Sequence, residues 1–217
     1  MDIYPLGHSS FRIKGKQVTV VTDPYDSSML GFKYPKVESP DIITISHDHA
    51  DHNKKDNFDL STVFVTSGPG EFEVKGVTIL GIPTFHDDKK GEERGKNIVF
   101  TMTIDDLAVC HLGDLGHKLD DEQVTRIGQV EILFVPVGGF YTLNAEQAYE
   151  TVTQLEPKIV IPMHYKTPKY NQETFGQVDT VDTFLKMMGV EDKSAQQPKL
   201  SITRDKLPEN TTVIVLE

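Results

Sequence analysis

The sequence predicts an α+β protein in which β-sheets pack on one another and helices lie outside them. Three observations carry this reading. Short β-branched runs crowd the first part of the chain, helical patterns begin only around residue 120, and further strand-like runs separate and follow those helices. A strict strand–helix alternation would instead indicate a doubly wound parallel sheet. At 217 residues, with no long Pro/Ser/Gly-rich tract, the chain reads as one domain, 1–217.

In order, the early strand-like runs are "FRI", "VTVVTDP", "DIITIS", "TVFVTS", "VTILGIP", "NIVFTMTI" and "LAVCHLGD". Val, Ile, Thr and Phe dominate them, and Gly or Pro punctuates the gaps. Helical patterns follow at "DDEQVTRIG", "NAEQAYETVTQLE" and "VDTFLKMMG". In the second, Asn144 and Gln147 have the spacing at which a cap side chain and the third helical residue satisfy each other's free N–H groups. The later strand-like runs are "EILFVPVGG", "KIVIPMH", "KLSIT" and "TTVIVLE". The charged stretch "HDDKKGEERGKN", residues 86–97, reads as a solvated connection between two strands, although it starts on a histidine.

Composition removes several function classes. A net charge of −11 argues against a broad nucleic-acid surface, because grip on a phosphate backbone comes largely from clustered Lys and Arg. No apolar stretch approaches the roughly 20 residues that span a bilayer, and "MDIYPLGHSS" lacks the charged start and apolar middle of a signal peptide. The expected location is therefore cytoplasmic, with no membrane partner. A single cysteine, Cys110, excludes an internal disulfide and zinc sites built on paired cysteines. It lies in "LAVCHL", a buried-strand pattern, and reads as an inert core thiol. Any metal must then be held by histidine and carboxylate.

Those residues are concentrated in "ISHDHADHN", where three histidines and two aspartates occupy six consecutive positions directly after an apolar run. Side chains two apart on an extended chain point the same way, so His47 and His49 can converge on one ion. Asp51 and His52 follow where the strand should end, and a turn there would aim them beside the first ion. One short stretch cannot complete two coordination shells. Three other strand ends offer partners: His86 in "GIPTFHD", Asp114 in "CHLGDLGH" and His164 in "IVIPMHYK". If each strand ends at the same sheet edge, these ligands meet on one rim.

The motifs "SHDHADH", "GIPTFHD", "HLGDLG" and "IPMHY", in this order and spacing, resemble the metallo-β-lactamase-fold metal-dependent hydrolases. With "GHSSFRI" and "VTDP" added, the chain is similar to the branch that includes ascorbate-6-phosphate lactonase-like proteins and many uncharacterised bacterial and archaeal hydrolases. The resemblance implies a four-layer αββα sandwich with the site at one edge of the two sheets. It implies that His47, His49 and His86 hold one metal, that Asp51, His52 and His164 hold the other, and that Asp114 bridges them. Asp23 matches the early aspartate that sits beneath the metal-binding loop and hydrogen-bonds it. The ions are two divalent metals, zinc by default; manganese and iron suit the same donors.

A pair of such ions would lower the pKa of a bound water toward about 7, so that hydroxide would be the nucleophile. Asp51 and Asp114 then take part in catalysis as ligands. His8 in "GHSSF" either orients a ligand, donates a proton to the leaving group, or makes a structural hydrogen bond. His111, three residues before Asp114, is an alternative ligand that fits the motif less well than His86. His117 belongs either behind the ligands or to a solvated loop. Substrate contacts are expected from Tyr141 and Thr142, brought near the cavity by the sharp path at Gly138 and Gly139, and from Lys166 as an anion anchor. Arg94 and Lys96 would assist if their loop folds over the site.

No Gly-x-Ser-x-Gly, His-Glu-x-x-His or phosphate-loop pattern competes. The chain also lacks the appended modules by which the family's tRNA-processing nucleases grip RNA. The expected activity is hydrolysis of a small lactone, ester or phosphoester, an anionic one if Lys166 serves as its anchor, with no nucleic-acid partner. One rival is a di-iron oxidoreductase, which would need an electron-transfer module this sequence does not contain. The other is a metal- or ligand-binding protein that keeps the fold without turnover. Oligomeric state and substrate identity are not encoded in any of these motifs.

Overall fold

The computed structural model describes residues 1–190 and 196–217. In chain order the strands are β1 (Asp2–Gly7), β2 (Ser10–Lys14), β3 (Thr19–Thr22), β4 (Ile42–Thr44), β5 (Phe64–Thr66), β6 (Gly70–Val74), β7 (Val77–Phe85), β8 (Lys96–Ile104), β9 (Leu107–His111), β10 (Ile132–Pro136), β11 (Ile159–Met163), β12 (Leu200–Ser201) and β13 (Thr212–Val213). The helices are α1 (Ser27–Leu30), α2 (Asp121–Ile127), α3 (Ala145–Leu155), α4 (Gln172–Phe175) and α5 (Val181–Met187).

Two sheets form. One has the order β12-β1-β2-β3-β4-β5 and the other β13-β11-β10-β9-β8-β7-β6. In each, an antiparallel part gives way to a parallel part: β3, β4 and β5 run parallel, as do β9, β10, β11 and β13. Parallel neighbours need long crossovers, and α2 and α3 supply those on either side of β10.

Three hydrophobic clusters separate four layers, so the fold is the αββα sandwich. The central cluster joins Ile3, Ile13 and Val20 of the first sheet to Ile79, Phe100, Phe134 and Ile161 of the second. A second cluster packs Val99, Cys110, Leu133 and Val135 against Ala148, Val152 and Phe184 of α3 and α5. The third packs Val21 and Ile43 against Leu30 and Phe175 of α1 and α4. Strand β10 shows why "ILFV" reads as an unbroken apolar run: Ile132 and Phe134 face the other sheet while Leu133 and Val135 face the helices. Cys110 is a buried free thiol on the helix side, and burial pushes its pKa up.

The three expected helices form, and Asn144 with Gln147 makes the reciprocal cap on α3. Two strands and two short helices escape the sequence patterns. Strand β1 is interrupted by Pro5 and its register with β2 shifts between Pro5 and Gly7. Edge strand β6 (GEFEV) points Glu71 and Glu73 to solvent and covers only one face. Helices α1 and α4 are four residues each, too short for any hydrophobic period. Among the described residues no helix is long and apolar enough to cross a membrane.

Candidate metal centre

The candidate ligands meet at one edge of the sandwich because each follows the end of a strand. Asp23 follows β3, His86 follows β7, Asp114 lies just past β9 and His164 follows β11. The histidine stretch follows β4, but not as an extended chain. Strand β4 stops at Thr44, and residues 46–52 are bends and turns. Parity along a strand therefore does not bring His47 and His49 together; the turn does, through the His52 N–H donating to the His49 carbonyl at 2.9 Å. The chain leaves the strand early because Asp23 captures it. The Ser46 backbone N–H donates to Asp23 Oδ1 at 2.8 Å and the Ser46 hydroxyl to Oδ2 at 2.6 Å.

Asp23 also lies under His52, whose Nδ1 is 2.8 Å from Asp23 Oδ2. That contact reserves Nε2 of His52 for the rim. Ser46 does the same for His47, its hydroxyl 2.9 Å from Nδ1. Both Nε2 atoms are buried and have no hydrogen-bond partner. Asp114 Oδ1, one nitrogen each of His86 and His164, and both nitrogens of His8 are in the same state. Buried polar atoms without partners cost about 1–3 kcal/mol each, so this many in one place call for a ligand that satisfies them together.

Three groups of donors are close enough to hold a cation, with ligand atoms within 4.8 Å of one another: His47, His49 and His86; His8, Asp51, His52 and His164; and His47, His52 and Asp114. Asp114 joins the sets. Its Oδ2 is 3.1 Å from His164 Nε2 and 3.2 Å from His86 Nε2, and its Oδ1 is 3.3 Å from His52 Nε2. The backbone places it firmly: the Asp114 N–H donates to Asn97 Oδ1 at 2.9 Å, and Asn97 in turn donates to the Leu112 carbonyl. Gly113 makes this possible. It has φ 56°, and a Cβ there would lie 2.4 Å from both Asn97 Oδ1 and Ser46 Cβ.

Electrostatics follow from burial and these contacts. Burial, then the neighbouring His52, lowers the His47 pKa to about 3, and burial also lowers His49. Both rings are neutral donors at physiological pH, the form that binds metal. Burial opposes the charge on His52 too, but Asp114 and Asp51 outweigh it and raise its pKa. Burial likewise opposes the Asp114 carboxylate, yet His164 and His52 hold its pKa well below the carboxylate range.

The remaining expected residues separate into those at the rim and those that support it. His8 sits beneath the ligands with a fully buried ring, Nε2 3.3 Å from Asp51 Oδ2 and the ring 4.1 Å from that of His164. The ring makes no hydrogen bond there but belongs to the donor group of Asp51, His52 and His164, and, fully buried, it does not reach the cleft as a proton donor to a leaving group would. His111 is not an alternative ligand, because both nitrogens are occupied: Nε2 lies 2.9 Å from the Ser9 carbonyl and Nδ1 accepts the Gly113 N–H at 3.2 Å. His117 Nε2 accepts the Phe85 N–H at 3.2 Å, supporting the residue before His86.

The cleft over the centre has a volume of about 340 Å³. Tyr141 lines it, its hydroxyl donating to the Thr174 carbonyl at 3.0 Å. Thr142 does not; it is buried beside Leu143. Lys166, expected as an anion anchor, instead donates its ammonium to the Gly176 carbonyl at 2.7 Å and is absent from the cleft wall, as is Lys96. Gly138 is needed for packing, since a Cβ there would meet the His164 carbonyl oxygen at 2.1 Å.

Sequence patterns do not single out Ser46, Asn97, Met29 or Phe175, the last two of which line the cleft. Met29 and Phe175 sit on the two four-residue helices, where no period marks them.

Comparisons with known proteins place the chain in a family. Residues 2–164 match the family described as a beta-lactamase superfamily domain. A metal-dependent hydrolase of the UPF0173 group from Thermoplasma volcanium is 32% identical over 187 residues, covering 74% of this chain and 82% of that protein. Among solved structures, a Thermotoga maritima protein assigned to the Zn-dependent hydrolases of the metallo-beta-lactamase superfamily superposes with a TM-score of 0.76 at 35% identity, covering 99% of this chain and 97% of that one. Igni18, a metallo hydrolase from Ignicoccus hospitalis, shares the fold with a TM-score of 0.67 at 20% identity, covering 93% of this chain and 99% of that one.

Proposed function

The chain belongs to the beta-lactamase superfamily and groups with its metal-dependent hydrolases, and from that premise we propose that it is a dinuclear hydrolase of a small lactone, ester or phosphoester. The observation that carries this reading is the position of Asp114. Its Oδ2 lies 3.2 Å from His86 and 3.1 Å from His164, one histidine of each proposed set, while Oδ1 lies 3.3 Å from His52, as a carboxylate shared between two cations would.

In this reading His47, His49 and His86 hold one divalent ion, Asp51, His52 and His164 hold the other, and Asp114 serves both. When bound, the pair supplies hydroxide at neutral pH and polarises the scissile carbonyl or phosphoryl group. The chain's own residues provide order. Asp23 and Ser46 fix which nitrogens of His52 and His47 face the rim, and hydrogen bonds of this kind hold ligand rings in orientation. His8, its Nε2 3.3 Å from Asp51, offers a further nitrogen to the second set. Met29, Tyr141 and Phe175 form an apolar wall that limits water around a bound substrate. Zinc is the default ion for this donor set, and the site suits a cytoplasmic enzyme of small molecules.

Metal content and anomalous scattering on purified protein, followed by a panel of lactones and phosphodiesters, test the reading. Two ions with turnover of one substrate class support it. A protein that turns over nothing after zinc or manganese is added would instead be a binding protein on the same fold. His49→Ala and Asp51→Ala should each abolish turnover while denaturant unfolding stays cooperative; retained turnover in either overturns the assignment.

Metal removal gives an independent readout. An ion present at about 100 times its Kd stabilises the folded state by about 2.7 kcal/mol. For a chain of this size, each kcal/mol moves Tm by roughly 2–4 °C. Chelation should therefore lower Tm by roughly 5–10 °C per ion released. A Tm indifferent to chelator and to added zinc would contradict a metal centre in this cluster.

A further inference from the structure

Residues 86–97 are rich in charge, yet they do not form a loose solvated loop. One buried carboxylate organises them. Asp87 Oδ1 accepts the backbone N–H groups of Lys89 at 2.9 Å and Gly91 at 2.7 Å, and Oδ2 accepts those of Glu93 at 3.0 Å and Arg94 at 2.7 Å. The His86 N–H closes the base of the loop on the Gly95 carbonyl at 3.0 Å. The candidate ligand His86 and the segment beyond it are thus tied into one unit.

That unit delivers Arg94 to the cleft. Arg94 lines the same cavity as His49, Asp51 and Asp114. Its Nη2 donates to the Phe140 carbonyl at 3.2 Å, and its guanidinium carbon is 5.8 Å from the Tyr141 ring centroid. Phe140 holds φ at 49°, a region bulky residues rarely enter, so the backbone bears a cost at the residue that receives Arg94. The Phe140 contact uses one of the five guanidinium N–H groups. The adjacent Glu93 is shared: its Oε2 is 3.7 Å from Arg94 Nη1 while its Oε1 is 2.5 Å from Lys89 Nζ. The cleft lining also includes the apolar side chains of Met29, Tyr141 and Phe175 and the carboxylate of Glu93.

We propose that Arg94 is the anion anchor of this cleft, selecting small substrates that carry a carboxylate or phosphate set apart from the bond to be cleaved. The proposal rests on the dinuclear reading above, which assigns the other end of the substrate to the metal centre. A guanidinium grips either anion through paired N–H donors, and a cation fixed by its own loop loses little freedom when it does so. In a chain of net charge −11, a local cation at the cleft mouth also decides which small anions approach.

Two-ended probes test it without requiring turnover. Zinc-loaded protein is titrated calorimetrically with succinate, glutarate and adipate and with the monomethyl ester of each. The three lengths cover the span between the two ends. At one length the wild type should bind the diacid roughly tenfold tighter than its monoester, Arg94→Ala should lose that preference, and Arg94→Lys should keep part of it. Zinc stoichiometry, read on each variant, should be unchanged. A wild type with two zinc ions and no preference at any length, or an R94A protein that keeps the preference, overturns the role of Arg94 and leaves the hydrolase reading standing. Failure of the wild type to hold zinc, manganese or iron overturns both.

Discussion

Asp114→Ala is expected to reduce metal content from two ions to at most one and to lower kcat/KM by roughly a thousandfold or more, a scale on which single preorganised electrostatic contacts act in active sites. The reason lies in its neighbours. Its carboxylate is within 3.1 to 3.3 Å of nitrogens on His164, His86 and His52. Removing it leaves two sets of imidazoles with no anion between them, so two cations there would repel each other with nothing shared to offset it. Asp114→Asn keeps the shape and the ability to accept, but not the charge. It should retain more of the fold's stability than of its activity. Metal analysis by mass spectrometry alongside initial rates separates these effects, and an alanine variant that holds two ions and turns over normally would remove Asp114 from the centre.

Asp23→Ala should have the largest effect on stability among residues behind the ligands, about 3–5 kcal/mol, the usual cost of removing one partner of a buried charged pair. Asp23 is fully buried and accepts from the Ser46 N–H and the Ser46 hydroxyl, with His52 Nδ1 at 2.8 Å. All three donors would be stranded. The same change frees His52 to present either nitrogen, so metal affinity should fall by roughly 10–100-fold in whatever protein remains folded. Asp23→Asn, which can still accept, should recover much of the stability while its affinity for zinc stays reduced. Denaturant unfolding with and without excess zinc distinguishes the two losses. An Asp23→Ala protein as stable as the wild type would mean that the buried carboxylate is not what holds the ligand turn.

The chemistry of the site was legible in one dimension. Histidine and aspartate are costly to bury, so their accumulation after apolar strand runs marks positions where a shared ligand offsets that cost. His47, His49, Asp51, His52, His86, Asp114 and His164 are all read in this way, and the structure brings their ligand atoms to one edge. The strands were legible for a related reason, since burial on both faces makes β10 and β11 continuous apolar runs.

What could not be read is which hydrogen-bond partner a polar side chain takes. Lys166 resembles an anion anchor because it lies two residues beyond His164, but the Gly176 carbonyl claims its ammonium. Arg94 looked like part of a solvated loop, and four hydrogen bonds to Asp87 turn that loop into a support for the cleft. His8 and His111 are indistinguishable from ligands by residue type. The structure occupies both nitrogens of His111 and puts His8 against Asp51, where its ring reaches no solvent.

Residue type and spacing alone therefore pointed to a cation held by histidine and aspartate and to packed sheets with helices outside, because burying imidazole and carboxylate is costly without a shared ligand; the division of the donors into two sets came from the family resemblance. Tertiary structure alone decided which nitrogen of each histidine faces the rim, which cation reaches the cleft and how the chain leaves β4. Some of those outcomes are choices among partners far apart in sequence, such as His52 against Asp23, 29 residues away, or His111 against Ser9, 102 away, and are settled only when the sheets have packed; others, such as Asp87 closing its own loop, are local but follow a backbone path that no sequence period encodes.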